Sequence, residues 1–177
     1  MCIRDSLKGE NLAVEKVAIK THLEGDDKAL FIKGKELYER EAYCGTCHQE
    51  HGQGLAAAGY PPLRQSKWVT DSEERLIKLT LKGLYGPITV LHQNYKGNVP
   101  MTAFEGLMND EGVAAVLTYV RNAFGNKASV VSPEKVKAVR AAIADQKGFY
   151  LASDLLKEAP IKAKDGKKLD NLVPELN

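Results

Sequence analysis

The sequence predicts an all-α domain, and three observations carry that expectation. Apolar residues recur at helical spacing in three separate segments, glycine and proline collect in one long stretch between the first two, and start and stop residues bracket the segments. From Asp26 or Asp27 as N-cap, a helix is predicted to about Ala42, with Leu30, Gly34, Leu37 and Tyr38 on one face. Gly34 inside it costs about 1 kcal/mol relative to alanine, so a close crossing by another helix is the expected reason for it.

Residues 49–69 have little periodicity and contain Gly52, Gly54, Gly59, Pro61 and Pro62. An irregular loop of that length in a compact domain is usually functional or wrapped around something. Thr70 and Glu73 form a capping-box pair that opens a second helix, with Leu76, Ile77, Leu79, Thr80 and Leu84 as its apolar face and Gly83 and Gly86-Pro87 as its end. Residues 88–99 read as short strand, turn and loop. Asn109 or Asp110 caps a third helix that buries Val113, Val116, Leu117, Val120 and Phe124 and stops at Gly125.

Ser132-Pro133-Glu134 is a further helix start, with a cap, proline at the first helical position and an acid in the first turn. Val136, Val139, Ala142 and Ile143 would lay that helix on the domain. Residues 150–156 are expected to dock, and residues 162–177 to form a solvated, lysine-bearing tail.

Composition narrows the function classes. The 177 residues are 27% charged, and no run of about 18 apolar residues suggests a membrane span. The formal net charge is +2, and residues 26–125 are almost balanced, with eleven Lys/Arg against twelve Asp/Glu, which argues against a nucleic-acid partner. The first six residues, Met1-Cys2-Ile3-Arg4-Asp5-Ser6, resemble the translation of a transposase adapter used in preparing sequencing libraries and are set aside. On that reading the chain is the C-terminal fragment of a longer protein. Residues 7–25, with an alternating stretch from Val14 to Lys20, would then be the remnant or linker of an upstream domain.

The strongest chemical signal is Cys44-Gly45-Thr46-Cys47-His48. Two thiols at this spacing can add across the two vinyl groups of a haem, which carries the adjacent His48 under the iron as proximal ligand. A thiol redox pair would be expected near a βαβ pattern, and a structural zinc site would need two more ligands at short spacing. Neither context is present. One covalent haem c is therefore predicted.

A carrier that cycles its iron without binding a substrate needs a second axial ligand, from methionine or histidine. His51 is three residues from His48 and cannot easily reach the other face; His92 lies in a polar, turn-like stretch; Met108 sits at the edge of the last core helix. Met101, after Pro100 in a loop between helices, is the favoured ligand, with Met108 and His92 behind it. Trp68 and Tyr95 suit the lining of a haem pocket, each with an apolar body and a polar tip that could reach a propionate, although ordinary core packing explains them equally well. Arg64 is a further propionate candidate, weighed against simple exposure.

Over residues 29–125 the order of helix, C-x-x-C-H, Gly/Pro loop, helix, Met loop and final helix resembles the class I monohaem cytochrome c fold. Gly34-x-x-x-Tyr38 matches that family's first-helix motif, and Tyr119 matches the aromatic residue on the last helix that crosses it. Pro61-Pro62-Leu63 resembles the family's Gly-Pro-x-Leu stretch, with Tyr60 in place of the glycine. The resemblance implies that the Pro61 carbonyl accepts the Nδ1 proton of His48 and that Leu63 packs on the haem. Many bacterial relatives have Met-Pro at the sixth ligand, where this chain has Pro100-Met101.

A closer resemblance covers residues 34–140. The segments at 62–69, 74–77, 86–90 and 116–126 are similar to the cytochrome modules at the C-terminal end of large secreted bacterial proteins with β-propeller, dehydrogenase-like or helical-repeat domains. It implies a cytochrome c domain at 26–126 followed by a helix and tail at 127–177. The implied partner is a redox protein or an upstream catalytic domain, and the implied location the periplasm or cell envelope. The implied role is electron transfer without enzymatic catalysis. Two alternatives stand beside it: a haem enzyme or small-ligand sensor with an open sixth position, and a metal or thiol module without haem.

Overall fold

A computed structural model describes residues 20–40, 42 and 44–161. The expectations for residues 1–6, for the alternating stretch before Lys20 and for the tail from Lys162 lie outside the described residues.

Helix α1 spans Gly25–Glu39 and α5 spans Asp110–Asn122, and the two cross to form the centre of the fold. Gly34 marks the crossing, because a Cβ built there would fall 2.0 Å from the Ala115 carbonyl oxygen and 2.8 Å from the Tyr119 Cβ. Only a residue without a side chain permits that approach. Around the crossing, Phe31, Tyr38 and Phe124 pack on Tyr119 with ring centroids 5.1 to 5.4 Å apart. These tilted and edge-on arrangements suit the ring quadrupoles. Helix α5 is buried on all sides from Gly112 to Asn122, more completely than its predicted single apolar face required.

Several boundaries differ from the sequence reading. Asp26 and Asp27 lie inside the first turn of α1 instead of capping it, where they face the positive end of the helix dipole. Phe31 is buried at the core, while Leu30 is only partly buried. The capping box at Thr70 and Glu73 does not form. Residues Lys67–Thr70 make a single helical turn, α3, in which the Thr70 hydroxyl donates back to Ser66 O at 3.0 Å. The next helix, α4 (Glu73–Lys82), is capped by Ser72, whose hydroxyl accepts from Arg75 N. Phe124 lies beyond α5 with φ 58°, not on its last turn.

Among the described residues, short strands accompany the helices. Strand β1 (Leu84–Tyr85) follows Gly83, which takes Leu84 off the helix predicted to include it. Strands β2 (Ile88–Val90) and β3 (Gln93–Tyr95) form an antiparallel hairpin. Its turn residues Leu91 and His92 both have positive φ, as a two-residue type I′ turn requires.

Beyond α5, helix α6 (Pro133–Ala142) starts at Ser132 as predicted and buries Val136 and Val139, with Ile143 just after it; Ala142 stays exposed. Strand β4 (Tyr150–Leu151) then pairs in parallel with β1, and α7 (Ala152–Glu158) buries Ala152 and Leu155. The predicted docking segment thus docks by adding a strand. No helix among the described residues is long and apolar enough to cross a membrane.

Candidate haem-binding site

Cys44-Gly45-Thr46-Cys47-His48 forms one short helix, α2, directly after α1. The Tyr38 hydroxyl donates to Gln49 O at 2.7 Å, tying the chain just beyond His48 back to α1. Within one helical turn, residues three and four apart share a face, so Cys44, Cys47 and His48 are held as a unit. Cys44 and Cys47 are not joined to each other in a disulfide. Burial pushes the Cys44 thiol up to about 12, as an apolar setting disfavours the thiolate.

His48 Nδ1 lies 2.8 Å from Pro61 O. A carbonyl can only accept, so Nδ1 carries the proton and Nε2 keeps its lone pair free for a metal. Burial lowers the His48 pKa, against the opposing effect of the Pro61 carbonyl, and thus favours the neutral imidazole that ligation requires. The loop carrying Pro61 is folded back on the motif. Gly54 N donates to His48 O at 2.9 Å, and Leu63 N and Arg64 N donate to Gly52 O at 2.8 and 3.1 Å. Asn126 pins the loop to the end of α5, its Nδ2 donating to Leu63 O and Val120 O and its Oδ1 accepting from Gln65 N.

An apolar cavity opens beside His48, with about 710 Å³ of space free of atoms, part of it continuous with solvent. Its walls include Cys44, His48, Pro61, Leu63, Trp68 and Met101, which brings most of the residues singled out from the sequence to one place. Met108 lines it as well. His51 and His92 are exposed and do not. Tyr95 is also absent from the walls: it is buried on β3, opposite Ile88, and its hydroxyl donates to Gln93 Oε1. Its cross-strand partner Ile88, on the same face of the hairpin, does line the cavity. Arg64 is exposed.

Trp68 supplies the test of fit. Its Nε1 is buried without a hydrogen-bond partner among the described residues, in the wall of a cavity that is otherwise apolar. An orphaned buried donor costs about 1 to 3 kcal/mol unless an acceptor arrives, and a haem carboxylate is such an acceptor. Apolar walls for a macrocycle, the Cys44 thiol and an imidazole at one edge, Cys47 on the same helical turn, and a waiting donor together fit a covalent haem.

A sequence profile of the family described as cytochrome c matches residues 31–124. The chain belongs to the cytochrome c family. It is 36% identical over 117 residues to cytochrome c-552 of Thermus thermophilus, covering 61% of this chain and 84% of that protein. A second cytochrome c-552 of Thermus thermophilus is also 36% identical over 117 residues, with 74% of it covered. The Cbb3-type cytochrome c oxidase subunit CcoP of Azospirillum sp. (strain B510) is 27% identical over 106 residues, 57% of this chain and 31% of the subunit. As in that family, the chain carries one covalently attached c-type haem and works in haem-mediated electron transfer.

Three arginines that sequence reasoning passed over help to build this cytochrome's site. Arg75 is fully buried, with its Cζ 5.7 Å from the Trp68 ring centroid, and its guanidinium donates to Ala159 O and Lys67 O. Arg121 donates to Val69 O, Ser129 O and Ser129 Oγ. Arg140 reaches from α6 to the segment after Met101. A motif search finds none of them, because each bonds at least one backbone carbonyl more than 30 residues away in sequence.

Proposed function

We propose that this cytochrome is an electron carrier with closed coordination, held by His48 and Met101 as axial ligands. It would relay electrons from an upstream dehydrogenase-like domain to another carrier in the periplasm or cell envelope. The observation that carries the ligand assignment is that Met101 shares the apolar cavity with His48 while its backbone is fixed. Met101 N donates to Leu84 O at 2.9 Å, and Leu84 N donates to Met101 O at 3.4 Å. Met108, the other thioether in the wall, packs over the first turn of α5, with its Cβ 3.5 Å from the site of a Cβ on Gly112.

The haem supplies one-electron chemistry at a potential set by its ligands and surroundings. The protein's part is to hold and to exclude. Cys44 and Cys47 would anchor the macrocycle, Pro61 orients His48 with Nε2 free, Trp68 offers its Nε1 proton, and the apolar walls keep water out.

Carbon monoxide added to the ferrous protein tests the closed site. Slow or absent binding is expected, with rapid binding after Met101→Ala and no change after Met108→Ala. Rapid, complete binding to the wild type would favour a haem enzyme or sensor and sink the carrier assignment. The relay rests on the resemblance of residues 34–140 to C-terminal modules of multidomain proteins, and on the extracytoplasmic assembly that thioether attachment of haem implies. In the full-length protein, oxidation of a substrate by the upstream domain should reduce this haem within one turnover. A full-length protein with no second redox domain would overturn the relay.

A further inference from the structure

The segment from Met101 to Met108 is held from three directions. Leu84 bonds Met101 in both directions, as described above. Phe104 N and Glu105 N donate to Thr80 O and Leu81 O, each at 3.0 Å, and so fill two of the carbonyls that the end of α4 leaves open. The third hold comes from α6. Arg140 Nη1 donates to Glu105 O at 2.8 Å, Nη2 donates to Met108 O at 2.9 Å, and Nε donates to Asp110 Oδ1 at 2.7 Å. One guanidinium thus uses all three nitrogens on the end of the Met101 segment and the first residue of α5.

Helix α6 lies beyond residues 31–124, the part the family profile matches. The geometry of the bracing is specific to arginine. The planar fork spans two carbonyls and a carboxylate at once, and the delocalised charge tolerates a side chain only 24% exposed. The charged groups that face it are Asp110, which it pairs, and Glu105, whose carboxylate is taken by Lys82 at 2.7 Å. Helix α6 does not depend on Arg140 for its own docking, since Val136, Val139 and Ile143 bury the apolar side.

We infer that Arg140 is a positioning residue for the sixth ligand: it keeps residues 101–108 closed against the cavity, so that outside ligands cannot displace Met101. The inference rests on the reading of Met101 as that ligand. Without Arg140, the carbonyls of Glu105 and Met108 lose a charged donor, and the segment is held only at its Met101 and α4 contacts. Opening then becomes a local event that need not unfold the domain.

Imidazole affinity of the ferric holoprotein is the test, read beside the absorption bands of thioether coordination. Four variants are compared with wild type: Met101→Ala, Arg140→Ala, Arg140→Gln and Ser132→Ala. Ser132 caps α6 without touching the Met101 segment, so Ser132→Ala weakens the helix alone. Met101→Ala should bind imidazole most tightly. Arg140→Ala should bind about tenfold more tightly than wild type, as expected for losing charged hydrogen bonds that hold a segment shut. Arg140→Gln, which cannot span both carbonyls, should fall between them, and Ser132→Ala should match wild type. Equal affinity in the Arg140 and Ser132 variants overturns the inference, and if Arg140→Ala does not fold, Arg140→Gln decides in the same way. Should Met101→Ala bind no better than wild type, the ligand assignment fails and takes this inference with it. Should Met101→Ala open the site while the Arg140 variants stay closed, the role of Arg140 alone fails.

Discussion

Gly34 on α1 faces Ala115 on α5 so closely that a Cβ on the glycine would lie 2.0 Å from the Ala115 carbonyl oxygen. The neighbour is backbone in a helix buried on all sides, so it cannot yield as a side-chain tip would. Gly34→Ala should therefore destabilise the protein despite the better helix propensity of alanine. Overpacking of this kind costs at least about 1 to 3 kcal/mol, against the roughly 1 kcal/mol that propensity returns. Guanidinium denaturation should show a clearly lower midpoint for Gly34→Ala, and an unchanged or higher midpoint would contradict the crossing geometry.

His48 depends on a backbone carbonyl, which substitution of Pro61 itself leaves in place. Gly54 offers the indirect route. With φ at +71° and a built Cβ only 2.5 Å from Tyr60 O and 2.6 Å from the Pro61 carbonyl carbon, Gly54→Ala must push the 60–62 segment away. The Nδ1–H bond to Pro61 O would lengthen and His48 would become a weaker donor to iron. A higher reduction potential is expected for Gly54→Ala, together with a stability loss of about 1 to 3 kcal/mol from the strained backbone. A potential equal to that of wild type would show that the carbonyl does not tune the ligand.

Ser132 and Glu134 give a pH-dependent prediction at the start of α6. The Ser132 hydroxyl accepts from Lys135 N at 3.2 Å, and bonds from its own backbone amide and from Ser132 lower the Glu134 pKa below its ordinary value. A carboxylate with a depressed folded pKa adds stability above its unfolded value, near 4.5, and loses it as pH falls through the folded value. Ser132→Ala should cost about 1 kcal/mol at neutral pH through the lost cap. Any part of the deficit that comes from the Glu134 carboxylate should be lost as pH falls below about 4.5 and Glu134 is protonated in both proteins. Denaturation midpoints at several pH values check it, and a constant deficit would show that Ser132 acts on the cap alone.

The parts of the site written as local patterns were legible in the sequence. Cys44 to His48 needs only adjacent residues, and the α1–α5 crossing is written in Gly34 and the aromatic residues at helical spacing. Ser132-Pro133 likewise announces its helix. What could not be read depends on distant pairings. The capping expectation at Thr70 fails because Ser72 offers a competing hydroxyl two residues on, and Thr70 instead closes a turn on Ser66. Tyr95 is buried opposite the wall residue Ile88, a pairing that only the folded hairpin sets. Arg140 carries no local signal, since its acceptors, two backbone carbonyls and the Asp110 carboxylate, lie 30 or more residues earlier.

Arg75 supplies a prediction of the same hidden kind. It is wholly buried, lies over Trp68 and donates from Nη1 to Ala159 O at 2.5 Å and from Nη2 to Lys67 O at 3.3 Å, while Asp71 supplies a partly exposed counter-charge. Burial lowers its pKa, and Asp71 works against that shift. Arg75 thus joins α7, α3 and the wall residue Trp68 through a single side chain. Arg75→Ala leaves two carbonyls and the indole face without their partner, a loss of about 3 to 5 kcal/mol by analogy with broken buried ion pairs. Arg75→Met, which keeps the volume and the packing on Trp68, should recover part of it. Limited proteolysis separates local from global effects: in Arg75→Ala, cleavage after α6 should accelerate before the haem absorption changes. If the two change together, Arg75 holds the core as a whole and not the docking of α7.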